Sequence, residues 1–393
     1  MRVAYLCADP GIPVFGTKGA SVHVQEIVRA FRARGDVVTV YCTRRGVRVP
    51  ADLADLRVVE VPVHAPDAAA REVAIARASE QLAAAAKADG CDLVYERYSL
   101  FRAASAHVSR ATGAPVVLEV NAPLIDEQRV HRELIDDVAA LAGTRAVVAE
   151  AHVVACVSEA VADWVRTTKK LFDAADARII VAPNGVNTRR ITPSVHHDVG
   201  RPFTIGFVGT LKPWHGVDLL VAAADAASGS EFRAGAMPWR LVIAGDGPER
   251  PRLRELAARV GNHLEVVFTG ALDPDAIPRL LNEFDVAVAP YPAGNQQYFS
   301  PLKVFEYLAA GLPVVASAVG QIPSLIGHGT TGMLVPPGDG EALANALLTL
   351  RNDPALRSRL GAAARDVAVD RYDWAIVLER ILGQIPEGGR QVA

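Results

Sequence analysis

The sequence predicts an α/β protein made of two doubly wound halves, each a parallel sheet covered by helices on both faces. Three observations carry this expectation. Short apolar runs alternate with helical patterns along the whole chain, the signature of strand–helix–strand units. The alternation breaks once, in a polar stretch at 187–201, and then restarts. At 393 residues the chain is also too long for one ordinary hydrophobic core.

The elements follow in order. Strands are expected at 3–7, 37–42, 92–95, 116–120, 153–157 and 179–181 in the first half. Between the first two lies a helix whose apolar positions Ala20, Val24, Ile27, Val28 and Phe31 recur with a 3.6-residue period. That pattern leaves His23, Glu26, Arg29 and Arg32 on the wet side. In the second half strands are expected at 203–208, 241–244, 266–269, 286–289, 314–316 and 333–335, and helices at 341–350, 354–367 and 374–382 close the chain. The expected architecture is two Rossmann-like domains facing across a cleft, 1–190 and 191–370, with a last segment at 371–393.

Composition narrows the function classes. Half the residues are hydrophobic and 22% are charged, which is globular usage. The net charge of −3 is spread along the chain, so there is no basic field for nucleic acid and no acidic tail. Cys7, Cys42, Cys91 and Cys156 lie far apart, which fits neither a zinc site nor a disulfide framework and reads as reduced thiols in the cytoplasm. The N-terminus enters a short strand pattern without the long apolar run of a signal peptide, and no run of about 18 apolar residues offers a membrane span.

Ligands of open parallel sheets collect at the carboxyl ends of strands, where helix N-termini direct N–H groups and a positive dipole end outward. Three turns fall at such places. In Phe15-Gly-Thr-Lys-Gly-Ala-Ser, Gly16 and Gly19 allow a ligand close to the backbone, although glycine turns after a first strand are common. In Phe207-Val-Gly-Thr-Leu-Lys-Pro-Trp-His-Gly, Gly209 admits an anion to the main chain, and Lys212 and His215 are the side chains that would counter its charge. Lys212 as a solvated loop lysine and His215 as a capping residue are the plain alternatives.

The third turn, Tyr298-Phe-Ser-Pro-Leu-Lys-Val-Phe-Glu, is the most informative. Ser300 followed by Pro301 reads as an N-cap with proline at the first helical position. Glu306 lies between core-facing residues of the helix, where a carboxylate would accept both hydroxyls of a ribose. The alternative is an ordinary pair with Lys303, one turn earlier on a wet face.

Two further patterns read as structural. Asp273-Pro-Asp275 matches an Asp-x-Asp metal motif, but after a strand and before a helix Asp273 reads as an N-cap and Asp275 as first-turn charge. Trp164, Lys169, Lys170, Leu171 and Phe172 form a small basic and aromatic patch, read as a surface helix with membrane contact at most peripheral.

Taken in order, the motifs resemble the retaining glycosyltransferases of the GT-B fold, family 4. The resemblance runs over nearly the whole chain. It takes in the Gly16 and Gly19 loop, Val157-Ser-Glu159, Pro183-Asn-Gly-Val-Asn187, Phe207-Val-Gly209 and Ala244-Gly-Asp-Gly-Pro248. It continues through Phe268-Thr-Gly270, the Glu306 helix with Ala310-Gly-Leu-Pro-Val-Val-Ala316, Gly332-Met-Leu-Val-Pro336 and Tyr372-Asp-Trp374. The resemblance implies a metal-independent hexosyltransferase, without cofactor, that uses a nucleotide diphosphate sugar and a hydroxyl acceptor. A UDP-sugar stands ahead of a GDP-sugar, and the acceptor is expected to be small and polar.

By the same resemblance the C-terminal domain holds the nucleotide and the N-terminal domain most of the acceptor site. Glu306 would bind the ribose, and Ser300, Pro301, Leu302 and Lys303 with Gly209 the diphosphate. Main-chain groups near Thr269 and Gly270 would hold the base, Gly19 would close on the donor, and the helix around Trp374 would cross back to the N-terminal domain. The chain also departs from the family's pattern. The usual first glutamate is Tyr298, which moves donor-sugar contact to the Asn295–Ser300 stretch. The usual arginine and lysine of the phosphate turn fall at Thr210 and His215, which leaves Lys212 to supply that charge. The family's histidine near the reacting carbon falls at Asn121, which hydrogen-bonds but does not titrate. A nucleotide-sugar 2-epimerase of the same fold, or a nucleotide-sugar-binding protein without catalysis, remain the rival readings.

Overall fold

The computed structural model describes residues 1–101, 104–170, 178–194, 200–294 and 298–386. The chain divides into two compact units. The first holds 1–184, 298–300 and the segment from 374 onward, and the second holds 185–297 and 301–373.

The first unit carries seven strands: β1 (Arg2–Cys7), β2 (Val37–Cys42), β3 (Arg57–Glu60), β4 (Leu93–Arg97), β5 (Val116–Val120), β6 (Val153–Cys156) and β7 (Arg178–Val181). They pair in parallel in the order β3-β2-β1-β4-β5-β6-β7, so the order reverses between β1 and β4. In the second unit β8 (Thr204–Val208), β9 (Trp239–Ala244), β10 (Leu264–Gly270), β11 (Val286–Ala289), β12 (Val314–Ser317) and β13 (Gly332–Val335) form a parallel sheet ordered β10-β9-β8-β11-β12-β13. The same six-strand order is thus laid down twice, with β7 as an additional edge strand in the first sheet. Strands buried on both faces read as near-continuous apolar runs, and every residue of β5 and β8 is buried.

Helices connect the strands: α1 (Gly19–Ala33), α2 (Ala68–Asp89), α3 (Ala104–Thr112), α4 (Leu124–His131), α5 (Asp137–Glu150) and α6 (Glu159–Lys170) in the first unit. The second unit adds α7 (Val217–Arg233), α8 (Arg250–Ala257), α9 (Ile277–Leu281), α10 (Leu302–Ala309), α11 (Ile322–Leu325), α12 (Gly340–Asn352) and α13 (Pro354–Arg371). The last helix, α14 (Trp374–Leu382), belongs to the first unit and packs on α1, where Trp374 meets His23 edge-on at 4.8 Å and Glu379 pairs with Arg34.

Two expectations need correction. Strand β3 carries only two valines between Arg57 and Glu60 and forms a half-exposed edge, too short for an alternating pattern to register. On α1 the apolar stripe holds, but His23 and Glu26 are not on the wet side; they are 3% and 2% exposed. Both are buried because they have charged partners, Glu119 for His23 and Arg29 for Glu26. All four cysteines are free and buried.

Candidate active site

In the second unit the candidate residues gather where β8 ends. Gly209 follows β8 with φ +152° and donates its N–H to the Ala244 carbonyl at 2.9 Å. The main chain of Gly245 (φ +140°) lies directly against it: a Cβ on Gly245 would stand 1.9 Å from the Gly209 carbonyl oxygen, and a Cβ on Gly209 2.7 Å from Lys303 Nζ. Two left-handed glycines therefore keep the strand end open to the Lys303 ammonium.

Lys303 comes from the first turn of α10, which is anchored under β8 by Tyr307, whose hydroxyl receives the Val208 N–H at 2.8 Å. The ammonium lies 4.1 Å above the Phe207 ring and 5.6 Å from Tyr291. It is shut off from solvent and has no hydrogen-bond partner among the described residues. Burial pulls Lys303 down to about 7, with only the Glu306 carboxylate pushing back. Lys303 is therefore not on a wet face; it has aromatic walls and no acceptor.

The turn after Gly209 contributes less charge than its sequence suggests. His215 Nδ1 faces the Thr210 carbonyl, and burial, then Lys303 and Lys212, push the imidazole down to about 3 against that contact. His215 is thus neutral at neutral pH, with its Nδ1–H committed to a carbonyl. Lys212 lies 5.4 Å over the half-exposed Trp214 ring. Thr269 sits at a register shift in β10, its hydroxyl bonded to the Gly270 carbonyl, which also accepts the Gly245 N–H at 2.8 Å.

Pro301, not Ser300, holds the N-cap position of α10, and no side chain caps the helix. Ser300 is engaged elsewhere: its hydroxyl accepts the Asn184 N–H at 3.0 Å and its carbonyl accepts the Asn184 amide at 2.7 Å. Tyr298, Ser300 and Asn184 all belong to the first unit, whereas Pro301, Leu302, Lys303 and Glu306 belong to the second. The Tyr298 hydroxyl donates to Glu127 of α4, and its carbonyl accepts from Ser158 at 2.5 Å. Burial, then Glu127, raises the Tyr298 phenol well above its ordinary range, so it stays a neutral donor. Of the donor-sugar stretch, 295–297 lie outside the described residues.

Elsewhere in the first unit, Gly19 opens α1, and buried Gln25 holds the preceding loop by donating to the carbonyls of Val14 and Gly16 at 2.8 and 3.0 Å. Asn121 follows β5 and donates its amide to Glu119 Oε1 at 2.6 Å. Glu119 is 3% exposed. Its carboxylate also meets His23 Nε2 at 2.6 Å, Arg97 Nη1 at 3.3 Å and the Tyr95 hydroxyl at 2.5 Å. Burial alone would push this carboxyl up; His23, Arg97 and Tyr95 instead hold it at about 2. Glu119 lies outside the sequence motifs, yet a carboxylate within Val116-Val-Leu-Glu-Val120 is itself a signal, since a charge in a buried strand must have partners.

The two structural motifs resolve simply. Asp273 takes the N-cap position of a single 3₁₀ turn without a capping side-chain bond, and exposed Asp275 lies 3.8 Å from Arg190. Among the described residues no group of three or more His, Cys, Asp or Glu side chains is placed to share a metal ion. Trp164 is not a free surface aromatic: its indole N–H donates to Asp126 at 2.8 Å. Leu171 and Phe172 lie outside the described residues, as do the side chains of Lys169 and Lys170. No described helix is long and apolar enough to cross a membrane.

Comparison with known proteins adds the context of these residues. Residues 202–353 match the family model of the glycosyl transferases group 1, and residues 17–190 match that of glycosyltransferase family 4. The D-inositol 3-phosphate glycosyltransferase of Acidothermus cellulolyticus is 30% identical over 96% of this chain and 86% of its own. The 2-deoxystreptamine N-acetyl-D-glucosaminyltransferase of Streptomyces fradiae is 30% identical over 70% of this chain and 65% of its own. The crystal structure of Anabaena HepE in complex with UDP shares the fold with a TM-score of 0.71 at 20% identity, over 98% of this chain and 99% of that one.

Proposed function

The chain belongs to the group 1, family 4 glycosyltransferases of the GT-B fold, and on that premise we propose that it moves a hexose-type sugar from a nucleotide diphosphate donor to a hydroxyl of a small polar acceptor, with retention of anomeric configuration. The observation that carries this reading is Lys303: a buried ammonium with no hydrogen-bond acceptor among the described residues, beside a strand end kept open by Gly209. A diphosphate is the ligand such a group satisfies.

In this reading the second unit takes the nucleotide. Glu306 accepts the ribose hydroxyls, the main chain at Thr269 and Gly270 meets the base, and Gly209 with Thr210, Pro301, Leu302 and Lys303 receives the diphosphate. Breakage of the anomeric C–O bond moves an electron pair onto the leaving phosphate. A fixed ammonium already stripped of water stabilises that charge without reorganising. Lys303 is the principal cation, Lys212 assists, and neutral His215 adds no charge of its own. The acceptor oxygen bonds the anomeric carbon on the face that the phosphate leaves, and its proton passes to that phosphate. No side chain of the protein is needed as the base. Asn121, Gly16, Gly19, Tyr298 and Ser300 belong to the first unit, which we assign to the acceptor and the sugar. The relatives named for D-inositol 3-phosphate and 2-deoxystreptamine, both small polar ring compounds, support an acceptor of that kind. The structure named for UDP supports a UDP-sugar.

The test is product analysis by NMR after incubation with UDP-, GDP-, ADP- or dTDP-glucose and a panel of cyclitol acceptors. One donor should yield nucleoside diphosphate and glycoside in equal amounts, the glycoside with the donor's anomeric configuration. An altered sugar nucleotide formed without acceptor would make the protein an epimerase. Binding of a nucleotide without turnover over the whole panel would make it a binding protein.

A further inference from the structure

Glu119 has no place in the chemistry described above, yet this buried carboxylate meets four donor side chains. Its donors come from three elements: His23 on α1, Tyr95 and Arg97 on β4, and Asn121 just past β5. An ionised carboxylate that already meets His23, Tyr95 and Arg97 has no proton to give, so it is an acceptor on all sides. The amide group that faces it at 2.6 Å must therefore be the nitrogen of Asn121. The amide is planar, so its oxygen lies on the opposite flank, in a half-buried residue at the carboxyl edge of the sheet. Turning the amide over would set two acceptor oxygens against each other at the same distance. The carboxylate cannot swing away to relieve that contact, because His23 is itself wedged against Trp374, edge to face at 4.8 Å.

We propose that Glu119 is a positioning residue which fixes the Asn121 amide with its oxygen outward, so that Asn121 accepts a hydrogen bond from a hydroxyl or ammonium group of the substrate and rejects a phosphate or carboxylate there. The inference rests on the glycosyl-transfer reading and deepens it: the substrate group that meets the end of β5 is a hydrogen-bond donor.

A double-mutant cycle tests it. Wild type, Glu119→Gln, Asn121→Ala and the double variant are compared by kcat, by KM for acceptor, and by the thermal shift each shows with UDP. Glu119→Gln is expected to lower kcat about tenfold with the UDP shift unchanged, and this loss should vanish in the Asn121→Ala background. Losses that multiply would mean that Glu119 does not act through Asn121. Should Glu119→Gln fail to fold, Asn121→Asp asks the same question. Two carboxyls facing each other keep one proton, so its activity should fall as that proton leaves with rising pH. An Asn121→Asp enzyme with the wild-type pH profile would overturn the proposal. A readout without turnover separates the proposal from the transferase reading: the ¹⁵N-resolved side-chain amide of Asn121, assigned from its loss in Asn121→Ala. It should show one strongly downfield, slowly exchanging proton in the wild-type protein. Two equivalent, freely exchanging protons would sink the assignment whatever the enzyme transfers.

Discussion

Glu119 in the first unit and Lys303 in the second are both ionisable groups taken out of water beside a parallel sheet, and the protein treats them in opposite ways. Glu119 meets donors from His23, Tyr95, Arg97 and Asn121, and the carboxyl is held at about 2 although burial alone would push it up. Lys303 meets two aromatic faces and, among the described residues, no hydrogen-bond acceptor, and burial pulls it down to about 7. Removing an ion from water costs several kcal/mol even after the surroundings relax. For Glu119 that cost is offset inside the protein, so the charge fixes structure. For Lys303 it is not, and the difference becomes available to an anionic ligand. The number of partners a buried charge has, rather than its burial, separates a structural charge from a binding one.

The contrast breaks most visibly on deletion. Glu119→Ala leaves Arg97 buried without its carboxylate and should cost about 3–5 kcal/mol of stability, read from denaturant unfolding. Lys303→Met removes a buried charge that has no hydrogen-bond acceptor among the described residues, so unfolding should show no loss of stability. Its effect belongs to catalysis, where kcat should fall on the order of 100- to 1000-fold. A Lys303→Met protein that melts early but turns over normally would reverse the comparison.

The smallest expected effect is in pH. With a free-protein value of about 7, Lys303 takes up a proton when a diphosphate raises it again, so nucleotide affinity should weaken by up to about tenfold per pH unit above 7. Calorimetry in buffers of different ionisation heat reads this uptake directly, and Lys303→Met should abolish it. In the ligand-free protein the sign is reversed. Between about 7 and the ordinary value of 10.5 the unfolded chain binds a proton that the folded one lacks, so this group adds stability as pH rises. A flat affinity profile would show that the nucleotide does not meet this ammonium.

Much of the architecture was legible because buried parallel strands must be apolar and must alternate with helices; both sheets followed from that rule. Strand β3 was lost because Arg57-Val-Val-Glu60 is a four-residue edge with charges at both ends. The candidate site was legible as residue types: Gly209, Lys303 and Asn121 stand out in the chain. Their states were not. Lys303 looks like the (i, i+3) partner of Glu306, and only packing against Phe207 and Tyr291 takes it out of water. Gly209 announces a turn, but the backbone contact that demands Gly245 comes from the next strand. His23 falls outside the apolar stripe of α1, and its burial is decided by Glu119, far along the chain. Long-range partners of polar side chains leave no trace in local periodicity.

The place of α14 bears on how the protein is made. The first unit closes only when Trp374 settles against His23 and Glu379 against Arg34, yet β7 ends at Val181 and α14 begins at Trp374. At about 5–20 residues per second, a ribosome takes roughly 10–40 s to travel that interval. During that time the N-terminal sheet is synthesised but unsealed along α1, with His23 and its apolar neighbours uncovered. Folding of the first unit is therefore completed last, after the whole second unit has emerged. A chain broken off before residue 374 would carry a full second unit beside a first one still open to chaperones and proteases.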